Sequence, residues 1–306
     1  MSQVSIESRV LAGDARTRLA GIACALGSVL LFSGFTLVSR LGLRSSLGVL
    51  DLAALRFGIG GCLLLPILLK YGLRGVSLLD ASLLSLCGGL GFATLAYSGF
   101  RLASAAHGTV FLHGTLTPFT YLILRATRRT PTQRVSGVAL VAAGVLLMAL
   151  DSCQTAGTRE LWGDALLLLA SLSWSAYSVR LRALALPPAQ AAAIVAVFSM
   201  CAFFPLYACL PGKGLLTVAP RELALQALVQ GVLVGATSIF VYTRAVALLG
   251  AAETTLFTAA VPCLTTLAAI PLLGERPTLP VLAGVGVVTL GLIIAARAKR
   301  PALERR

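Results

Sequence analysis

Residues 279–296 read LPVLAGVGVVTLGLIIAA, a run in which no side chain carries a charge. A helix needs about 20 predominantly apolar residues to cross the hydrocarbon core of a bilayer, so this run is long enough to span one. Nine similar runs precede it, and together the ten cover roughly residues 19–39, 51–70, 80–100, 104–124, 133–150, 162–181, 189–210, 223–248, 251–273 and 279–296. The sequence therefore predicts an integral membrane protein whose chain crosses the bilayer ten times.

The overall composition indicates the same class of protein. Hydrophobic residues make up 58% of the 306 residues and charged residues only 12%, whereas about 25% of an ordinary soluble domain is charged. Within lipid, backbone polar groups must be satisfied internally, which leaves helices or a closed barrel. Barrel strands are about ten residues long and alternate in polarity. The runs here are longer and do not alternate, so we expect an all-α fold.

The Lys and Arg residues are distributed as membrane topology signals. The net charge is +14, but a nucleic-acid binder clusters its basic residues on one face, whereas here they fall between the apolar runs. Of the 25 basic residues, 17 lie on one side (both tails and the even-numbered loops), seven lie on the other, and Arg56 lies inside the second run. The side richer in Lys and Arg is cytoplasmic. We therefore predict that both termini are cytoplasmic and that the protein does not bind nucleic acid.

The seven cysteines and the N-terminus carry no further signal. No pair of cysteines shows CxxC spacing and most lie inside apolar runs, so we interpret them as small core residues rather than as disulfides or metal ligands. Residues 1–18 carry charges of both signs and lack a short apolar stretch followed by a cleavage site. We expect no cleaved signal peptide, and the first apolar run would direct insertion.

The second half of the chain repeats features of the first half in the same order. The matches pair Cys62-x3-Pro66 with Cys201-x3-Pro205, Phe32–Thr36 with Trp174–Ser178, Tyr97-Ser98 with Tyr242-Thr243, Pro118 with Pro262, Pro131-Thr132 with Pro277-Thr278, and Gly137-x6-Gly144 with Gly284-x6-Gly291. They divide the chain into an N-terminal tail (1–18), a first five-helix repeat (19–150), a linker (151–161), a second five-helix repeat (162–296) and a C-terminal tail (297–306). Because five spans is an odd number, the second repeat must be inverted in the membrane. Inverted repeats are typical of secondary transporters that work by alternating access, with the substrate site near the midplane.

Three further features carry a resemblance to a known family. The segment Leu273-Gly274-Glu275-Arg276-Pro277-Thr278 resembles a short Gly-Glu loop before the last helix, the Gly-x6-Gly pattern follows it, and Arg56 lies in the second run. With the ten-run layout, residues 19–296 resemble the EamA type of the drug/metabolite transporter superfamily, and within it bacterial exporters of amino acids, aromatic ones included. The first-half equivalent, Arg128–Thr132, lacks the Gly-Glu pair. The resemblance implies a basket-like bundle around a central cavity and export of amino acids or related small metabolites across the bacterial inner membrane.

Polar and aromatic residues inside the runs are the candidates for the substrate site, because such residues are costly to place in lipid. An aromatic wall with a few polar groups suits a small ligand. We expect the substrate cavity to be lined by Ser33, Phe35, Ser39, Tyr97, His113, Trp174, Tyr177, Ser178, Tyr242 and Glu253. Trp174 lies roughly 18 Å into its run, deeper than an interfacial aromatic belt.

Several of these residues keep two interpretations. His113 could bond a substrate or move a proton, and bonding between helices is the alternative. Glu253 opens the ninth run, where a carboxylate suits a helix N-terminus; facing the cavity, it would contact a substrate ammonium group. Pro118 and Pro262 interrupt the backbone hydrogen bonds of the fourth and ninth runs, as gating kinks or as fixed bends. For Arg56 we predict a structural role, in which the side chain extends to the interface or bonds backbone carbonyls.

The distribution of carboxylates bears on the mechanism. Asp51, Asp80, Asp151 and Asp164 all lie near the ends of runs, whereas a proton-coupled antiporter usually carries a carboxylate within the membrane. We therefore expect facilitated transport by alternating access, with a proton-coupled drug or metabolite antiporter as the alternative.

Other classes of function fit less well. An intramembrane enzyme would need a metal or pyrophosphate site with clustered Asp or His residues, and His107 and His113, about 240° apart around a helix, do not share a face. We therefore predict no enzymatic activity, no cofactor and no metal. A non-transporting scaffold or receptor would need a soluble or tail module, and the tails are short. The expected partners are a small-molecule substrate and membrane lipid, without an obligate protein partner.

Overall fold

The computed structural model describes residues 3–131, 133–155, 157–211 and 213–297, and it describes side chains from residue 16 onward except at 154, 155, 157, 251 and 252. Thr132 of the Pro131-Thr132 match and most of the predicted C-terminal tail, residues 298–306, lie outside these ranges, as do residues 1 and 2 of the N-terminal tail. Every regular element in the described part is helical, which confirms the predicted all-α class.

In the first half of the chain, the described residues form seven α-helices and two π-helical segments. The α-helices are α1 (Gln3–Leu43), α2 (Val49–Tyr71), α3 (Leu78–Ser85), α4 (Gly91–Leu102), α5 (Ala105–Thr109), α6 (Leu116–Ala126) and α7 (Val135–Thr155). One π-helical segment, Leu86–Leu90, joins α3 to α4, and the other, Val110–Gly114, follows α5.

Seven further α-helices lie in the described part of the second half. They are α8 (Gly157–Leu184), α9 (Pro188–Cys209), α10 (Pro220–Gln226), α11 (Ser238–Leu249), α12 (Ala251–Thr258), α13 (Val261–Leu273) and α14 (Leu279–Ala296). A 3₁₀ turn at Gly214–Leu216 precedes α10, and the π-helical segment Ala227–Thr237 joins α10 to α11.

Eight helices in the described part are long and apolar enough to cross a membrane: Arg16–Leu43, Val49–Tyr71, Leu78–Leu102, Val135–Cys153, Pro188–Cys209, Pro220–Leu249, Glu253–Leu273 and Leu279–Ala296. They correspond to eight of the ten predicted runs. The run 104–124 is not among them; it carries two histidines and four threonines, and its helix is interrupted at Thr115, between the π-helical segment and α6. The run 162–181 lies in the continuous helix α8, and Asp164, Arg180 and four serines lower its hydropathy.

The breaks in the fourth and ninth runs lie next to the two prolines predicted to bend them. Pro118 is the third residue of α6, and Pro262 is the second residue of α13. A proline cannot donate to the carbonyl four residues earlier. Those residues are Gly114, which ends a π-helical segment, and Thr258, which ends α12. By contrast, Pro66 and Pro205 lie inside continuous helices.

Four antiparallel helix pairs join the two halves of the chain: α7 with α14, α2 with α9, α4 with α8, and α1 with α11. Their glycine contacts give the directions. In the α2–α9 pair, for example, Gly58 faces Phe204 and Gly61 faces Met200, so the chains run in opposite directions. Each pair therefore buries a face of one half against a face of the other.

The α7–α14 contact brings the two backbones together through glycine. A Cβ on Gly137 would lie 2.2 Å from the backbone nitrogen of Ala295, and one on Gly291 would lie 2.7 Å from that of Val141. Gly144 and Gly284 meet in the same way, each with its carbonyl oxygen near the other's Cβ position. In lipid, small residues at an interface allow this close approach. The matched Gly-x6-Gly patterns of the two halves thus pack against one another.

A glutamate stabilises the end of the bundle where α1 and α13 finish, here called the Glu275 end. Gly274 ends α13 in the left-handed conformation, with φ of 64°, which a glycine adopts without strain. Glu275 follows and accepts hydrogen bonds from Arg40 Nε at 2.8 Å, Arg44 Nη2 at 2.8 Å and the backbone N–H of Ala105 at 2.7 Å. The Gly-Glu pair therefore connects α1, α5 and α13.

The glycine contact gives a prediction about stability. Gly291→Ala should lower the free energy of unfolding by about 1–3 kcal/mol, because its methyl group overpacks against the backbone of α7. The matched control is Gly286→Ala on the same helix, where a Cβ would meet nothing within 4 Å. Thermal unfolding in detergent should show a midpoint roughly 2–10 °C lower for the first variant and unchanged or higher for the second. Equal midpoints would contradict the close packing of α7 on α14.

Candidate functional site

Phe35 of α1 is the centre of a buried aromatic cluster, here called the Phe35 cluster. Its ring lies 6.3 Å from that of Phe92, 5.7 Å from Tyr97, 5.3 Å from Phe100 and 6.5 Å from His113, between ring centroids. Such separations are those of favourable aromatic pairs. The sequence had predicted Phe35, Tyr97 and His113 as cavity residues, and the structure brings them into contact.

Ring contacts extend the Phe35 cluster in two directions. On one side, Trp174 lies 4.6 Å from Phe92, and Tyr177 lies 5.0 Å from Trp174. On the other, Phe32 stacks on His113 at 5.7 Å and lies 6.0 Å from Tyr242. Six predicted residues therefore belong to one connected aromatic path through the bundle: Phe35, Tyr97, His113, Trp174, Tyr177 and Tyr242. The path contains residues from both halves of the chain.

Arg56 lies against this path rather than at the membrane interface. Its guanidinium carbon is 5.3 Å from the centroid of the Phe35 ring and 5.6 Å from that of Phe92. The residue is only 9% exposed, and its Nη1 atom is buried without a hydrogen-bond partner. A cation at this distance from aromatic faces is attracted by their quadrupoles. The guanidinium therefore does not extend to the membrane interface, which was one of the two structural roles predicted for Arg56.

The three predicted serines differ in what their hydroxyl groups bind. Ser39 donates to the carbonyl of Phe35, and Ser178 donates to that of Trp174 at 2.8 Å. Both hydroxyls therefore use their proton within their own helix. The hydroxyl of Ser33 is buried and has no partner. Of the three, Ser33 offers both a free donor and a free acceptor.

Two glutamines that the sequence analysis did not single out connect the Phe35 cluster to the second half. The hydroxyl of Tyr97 donates to Gln230 Oε1 at 2.9 Å, and Gln230 Nε2 donates to Ser39 Oγ at 3.0 Å. Gln226, one turn earlier, donates to the carbonyl of Val38 at 2.8 Å. Both amides are fully buried. Two amides spaced i, i+4 in an apolar run were a signal that could have identified them.

Phe32 and Phe92 were also missed, because a phenylalanine in an apolar run gives no signal of its own. Phe32 belongs to the matched segment Phe32–Thr36, and Phe92 lies in α4 five residues before Tyr97. Only their positions between Arg56, His113 and Trp174 make them part of the candidate site.

Several buried polar atoms near the broken helices have no hydrogen-bond partner within the protein. In α1, α2, the fourth run, α8 and α13 they are Ser33 Oγ, Thr36 Oγ1, Arg56 Nη1, Thr109 Oγ1, His113 Nδ1, Ser171 Oγ, Thr265 Oγ1 and Thr266 Oγ1. Most buried polar side chains have a partner, either protein or water. Water and a polar solute offer the same hydrogen bonds to such atoms.

Pro118 and Pro262 lie beside the helix breaks, whereas Glu253 lies away from the Phe35 cluster. Pro262 is buried at the break before α13, and Pro118 is half-buried beside the break before α6. Glu253 lies in the first turn of α12 and forms an ion pair with Arg18 at 3.3 Å, with the two side chains 38% and 69% exposed. This position suits the helix N-terminus interpretation of Glu253 rather than contact with a substrate.

A second buried polar centre lies between α5 and α8. His107 Nδ1 is 3.0 Å from both carboxylate oxygens of Asp164, and the hydroxyl of Ser152 is 3.5 Å away. His107 and Asp164 are 2% and 3% exposed. In the sequence, Asp164 lies near the end of an apolar run and was not counted as a carboxylate within the membrane. Packing against α5 and α7 instead buries the carboxylate and supplies its partner.

The structure contains a polar cavity and an apolar groove besides the Phe35 cluster. A cavity of about 560 Å³ at the Glu275 end is lined by Arg40, Arg44, Arg101, Arg159 and Glu160, with Leu43, Phe100 and Leu102. A groove of about 780 Å³ between α2 and α9 is lined by apolar side chains, including Cys62, Cys201 and Pro205 of the matched Cys-x3-Pro motifs. Among the described residues, no group of three or more His, Cys, Asp or Glu side chains could hold a metal ion.

Comparison with known proteins identifies a family that the second half of the chain resembles. Residues 161–297 match the EamA-like transporter family, and this range coincides with the predicted second repeat. A solved structure described as "Crystal structure of protein" is similar over 92% of this chain and 96% of its own, with a TM-score of 0.59 and 21% sequence identity. At this identity the likeness shows the fold alone. No curated protein matches.

The family match and the apolar helices support a multi-pass membrane protein. The matched family is one of transporters, not of enzymes. The second half of the chain is therefore similar to the EamA-like transporter family, which supports the drug/metabolite transporter superfamily predicted from the sequence.

Proposed function

We propose that this protein exports amino acids or related small metabolites across the bacterial inner membrane by alternating access. The main supporting observation is the Phe35 cluster, in which aromatic rings from both halves lie together and contact Arg56 and His113, each of which has a buried nitrogen without a partner. Aromatic walls with a few fixed polar groups are what a small amphipathic ligand requires. The EamA-like match over residues 161–297 supports transport as the use of such a site.

We propose further that the chain forms ten spans in two inverted five-helix repeats around a central cavity. Matched features of the helices support this arrangement. The third and eighth spans both contain a π-helical segment, Leu86–Leu90 and Ala227–Thr237, and the fourth and ninth are both interrupted next to a proline. The antiparallel helix pairs are also consistent with a twofold symmetry that exchanges the two halves. This symmetry maps the α1–α11 pair onto the α4–α8 pair, and it maps the α2–α9 and α7–α14 pairs onto themselves.

Alternating access gives the two ends of the bundle different tasks. With the termini cytoplasmic, as the distribution of Lys and Arg predicts, the Glu275 end would be periplasmic. There the Arg40–Glu275 ion pair, 2.7 Å long and largely buried, connects α1 to the end of α13. Exchange of conformation between two pseudosymmetric halves would break contacts at one end and form them at the other. The cavity at the Glu275 end would then be the exit vestibule.

A second candidate mechanism is favoured by the His107–Asp164 pair. Facilitated transport was predicted because a carboxylate buried in the membrane was not evident in the sequence. Asp164 is buried and hydrogen-bonded to His107. The carboxylates of Glu160 and Asp151 also interact electrostatically with the imidazole. An ionisable pair within the membrane is a proton-relay candidate by default. Proton-coupled antiport of the same substrates is therefore the alternative to a facilitative exporter.

Transport in liposomes tests the proposed function. The purified protein is reconstituted, and uptake of a panel of radiolabelled L-amino acids is measured without an imposed proton gradient. We expect saturable uptake that Trp174→Ala reduces at least about tenfold. The substitution removes the indole ring next to Phe92, and the loss of its contact with the substrate should cost about 1.4 kcal/mol of binding free energy. The matched control is Trp162→Ala, whose ring is 68% exposed and should be dispensable.

The outcomes separate the substrate from the site. If no amino acid is taken up, even after a pH gradient is added, the proposal that the protein transports amino acids is wrong. Uptake that Trp174→Ala and Trp162→Ala affect equally would instead place the substrate away from the Phe35 cluster.

A pH gradient distinguishes the two mechanisms. For antiport of one proton, a gradient of one pH unit should drive about tenfold accumulation of the substrate, whereas a facilitative exporter should reach the same plateau with or without it. Under antiport, Asp164→Asn should abolish accumulation but keep exchange of labelled for unlabelled substrate at equal pH. The control is Asp80→Asn, which removes a carboxylate bonded to Arg180 at the opposite end of the bundle. A wild-type plateau that does not respond to the gradient would exclude proton coupling.

A further inference from the structure

We infer that Arg56 binds a carboxylate group of the transported molecule; this inference rests on the proposed function and assigns the substrate class of the same site. The interpretation of Arg56 as a structural charge required either access to the membrane interface or bonds to backbone carbonyls. Instead its guanidinium is 9% exposed and lies over Phe35 and Phe92, with Nη1 buried and unpartnered.

The charge of Arg56 is not neutralised by an acidic side chain. The ion pairs of the described residues involve Arg18, Arg40, Arg44 and Arg180 as the cations, and Asp164 is paired with His107; Arg56 takes part in none of these contacts. Burying an ion without a partner of opposite charge is costly. The two aromatic faces and the nearby Tyr97 offset part of that cost. A ligand that brings a negative charge would offset the rest.

The position of Arg56 is fixed by close packing of its helix. A Cβ on Gly235 would lie 2.9 Å from the carbonyl oxygen of Arg56, so α2 is seated directly on the π-helical segment Ala227–Thr237. The same segment provides Gln230, which orients the Tyr97 hydroxyl beside Arg56. π-Helical segments are frequent at functional sites. The guanidinium therefore stands at a contact between the two halves, where alternating access would change its surroundings.

The chemistry around Arg56 favours a carboxylate over a phosphate. The planar guanidinium matches both groups in geometry. A carboxylate carries one negative charge, and Arg56 supplies the one positive charge among the described residues of the Phe35 cluster, so the two neutralise one another. Beyond Phe92, the Trp174 and Tyr177 rings provide an apolar surface that suits an organic side chain rather than the second charge and oxygens of a phosphate.

Binding in detergent tests this assignment without requiring transport. Trp162→Phe leaves Trp174, 4.6 Å from Phe92, as the single tryptophan, so its fluorescence reports occupancy of the Phe35 cluster. This protein is titrated with L-phenylalanine, L-leucine and L-threonine, with the carboxamide of each, and with inorganic phosphate. We expect the best-bound amino acid to bind at least about tenfold more tightly than its carboxamide, because only the acid satisfies a buried charge.

Substitutions of Arg56 complete the test. Arg56→Gln should weaken binding of that amino acid at least about tenfold while changing affinity for its carboxamide by less than about twofold, and Arg56→Lys should retain part of the preference for the acid. Size-exclusion profiles and thermal midpoints check that each variant is folded. If Arg56→Gln does not fold, the acid-to-amide ratio of the Arg56 protein and of Arg56→Lys still decides the question.

Three results would contradict the proposals, and they are distinguishable. Equal affinity for acids and carboxamides, or equal loss of both in Arg56→Gln, would overturn the carboxylate assignment and leave Arg56 structural. Phosphate binding that depends on Arg56, without binding of the acids, would overturn it in favour of a different anion. Absence of binding by every amino acid and every carboxamide would instead count against the proposed function.

Discussion

The close approach of helix backbones is the constraint on which this structure depends. In lipid, helices gain little from burying apolar side chains against each other, so their association depends on van der Waals packing and on polar contacts between them. The glycines of α7 and α14 meet backbone to backbone, and Gly60 of α2 meets Gly235 in the same manner. These contacts join the two halves of the chain, and they place α2 and the π-helical segment of the second half where Arg56 and Gln230 flank the Phe35 cluster.

Polar interactions are concentrated at the ends of the bundle and leave the middle incompletely satisfied. At the Glu275 end, Glu275 binds Arg40, Arg44 and the first turn of α5, while Asp51 accepts from Tyr207 at 2.6 Å and from the backbone of Gly214. Near the Phe35 cluster, by contrast, hydroxyl groups and Arg56 Nη1 have no partner. The protein thus combines stable ends with an interior that has hydrogen bonds to offer. Two broken helices run beside that interior, where a proline leaves a carbonyl without its usual donor.

Much of this organisation could be predicted from the pattern of apolar, polar and charged residues along the chain. The predictions that were wrong or missing have identifiable causes. Apolar runs predicted the helices, and eight of the ten are long and apolar enough in the structure to cross a membrane. The other two carry more polar side chains: histidines and threonines in the fourth run, and Asp164, Arg180 and four serines in the sixth. The aromatic residues predicted for the site do lie on one connected path of ring contacts. Glu253 does not join them, since a surface arginine, Arg18, provides a partner at the start of α12. Gln226, Gln230, Phe32 and Phe92 were missed because uncharged or apolar residues in an apolar run resemble ordinary packing.

The sequence by itself determined the class of protein, the approximate helices and the internal matches between the two halves, because these follow from hydropathy, charge and spacing along the chain. Only the tertiary structure decided the surroundings of the ionisable residues. Arg56 lies over the rings of two phenylalanines and Asp164 is paired with His107, although their positions in the sequence suggested a structural charge and a carboxylate near the end of a span. The physical reason is that solvation and pairing depend on which helix faces pack together. In a chain of mostly apolar helices, that choice is made by glycine contacts and a few polar pairs between residues that are far apart in the sequence.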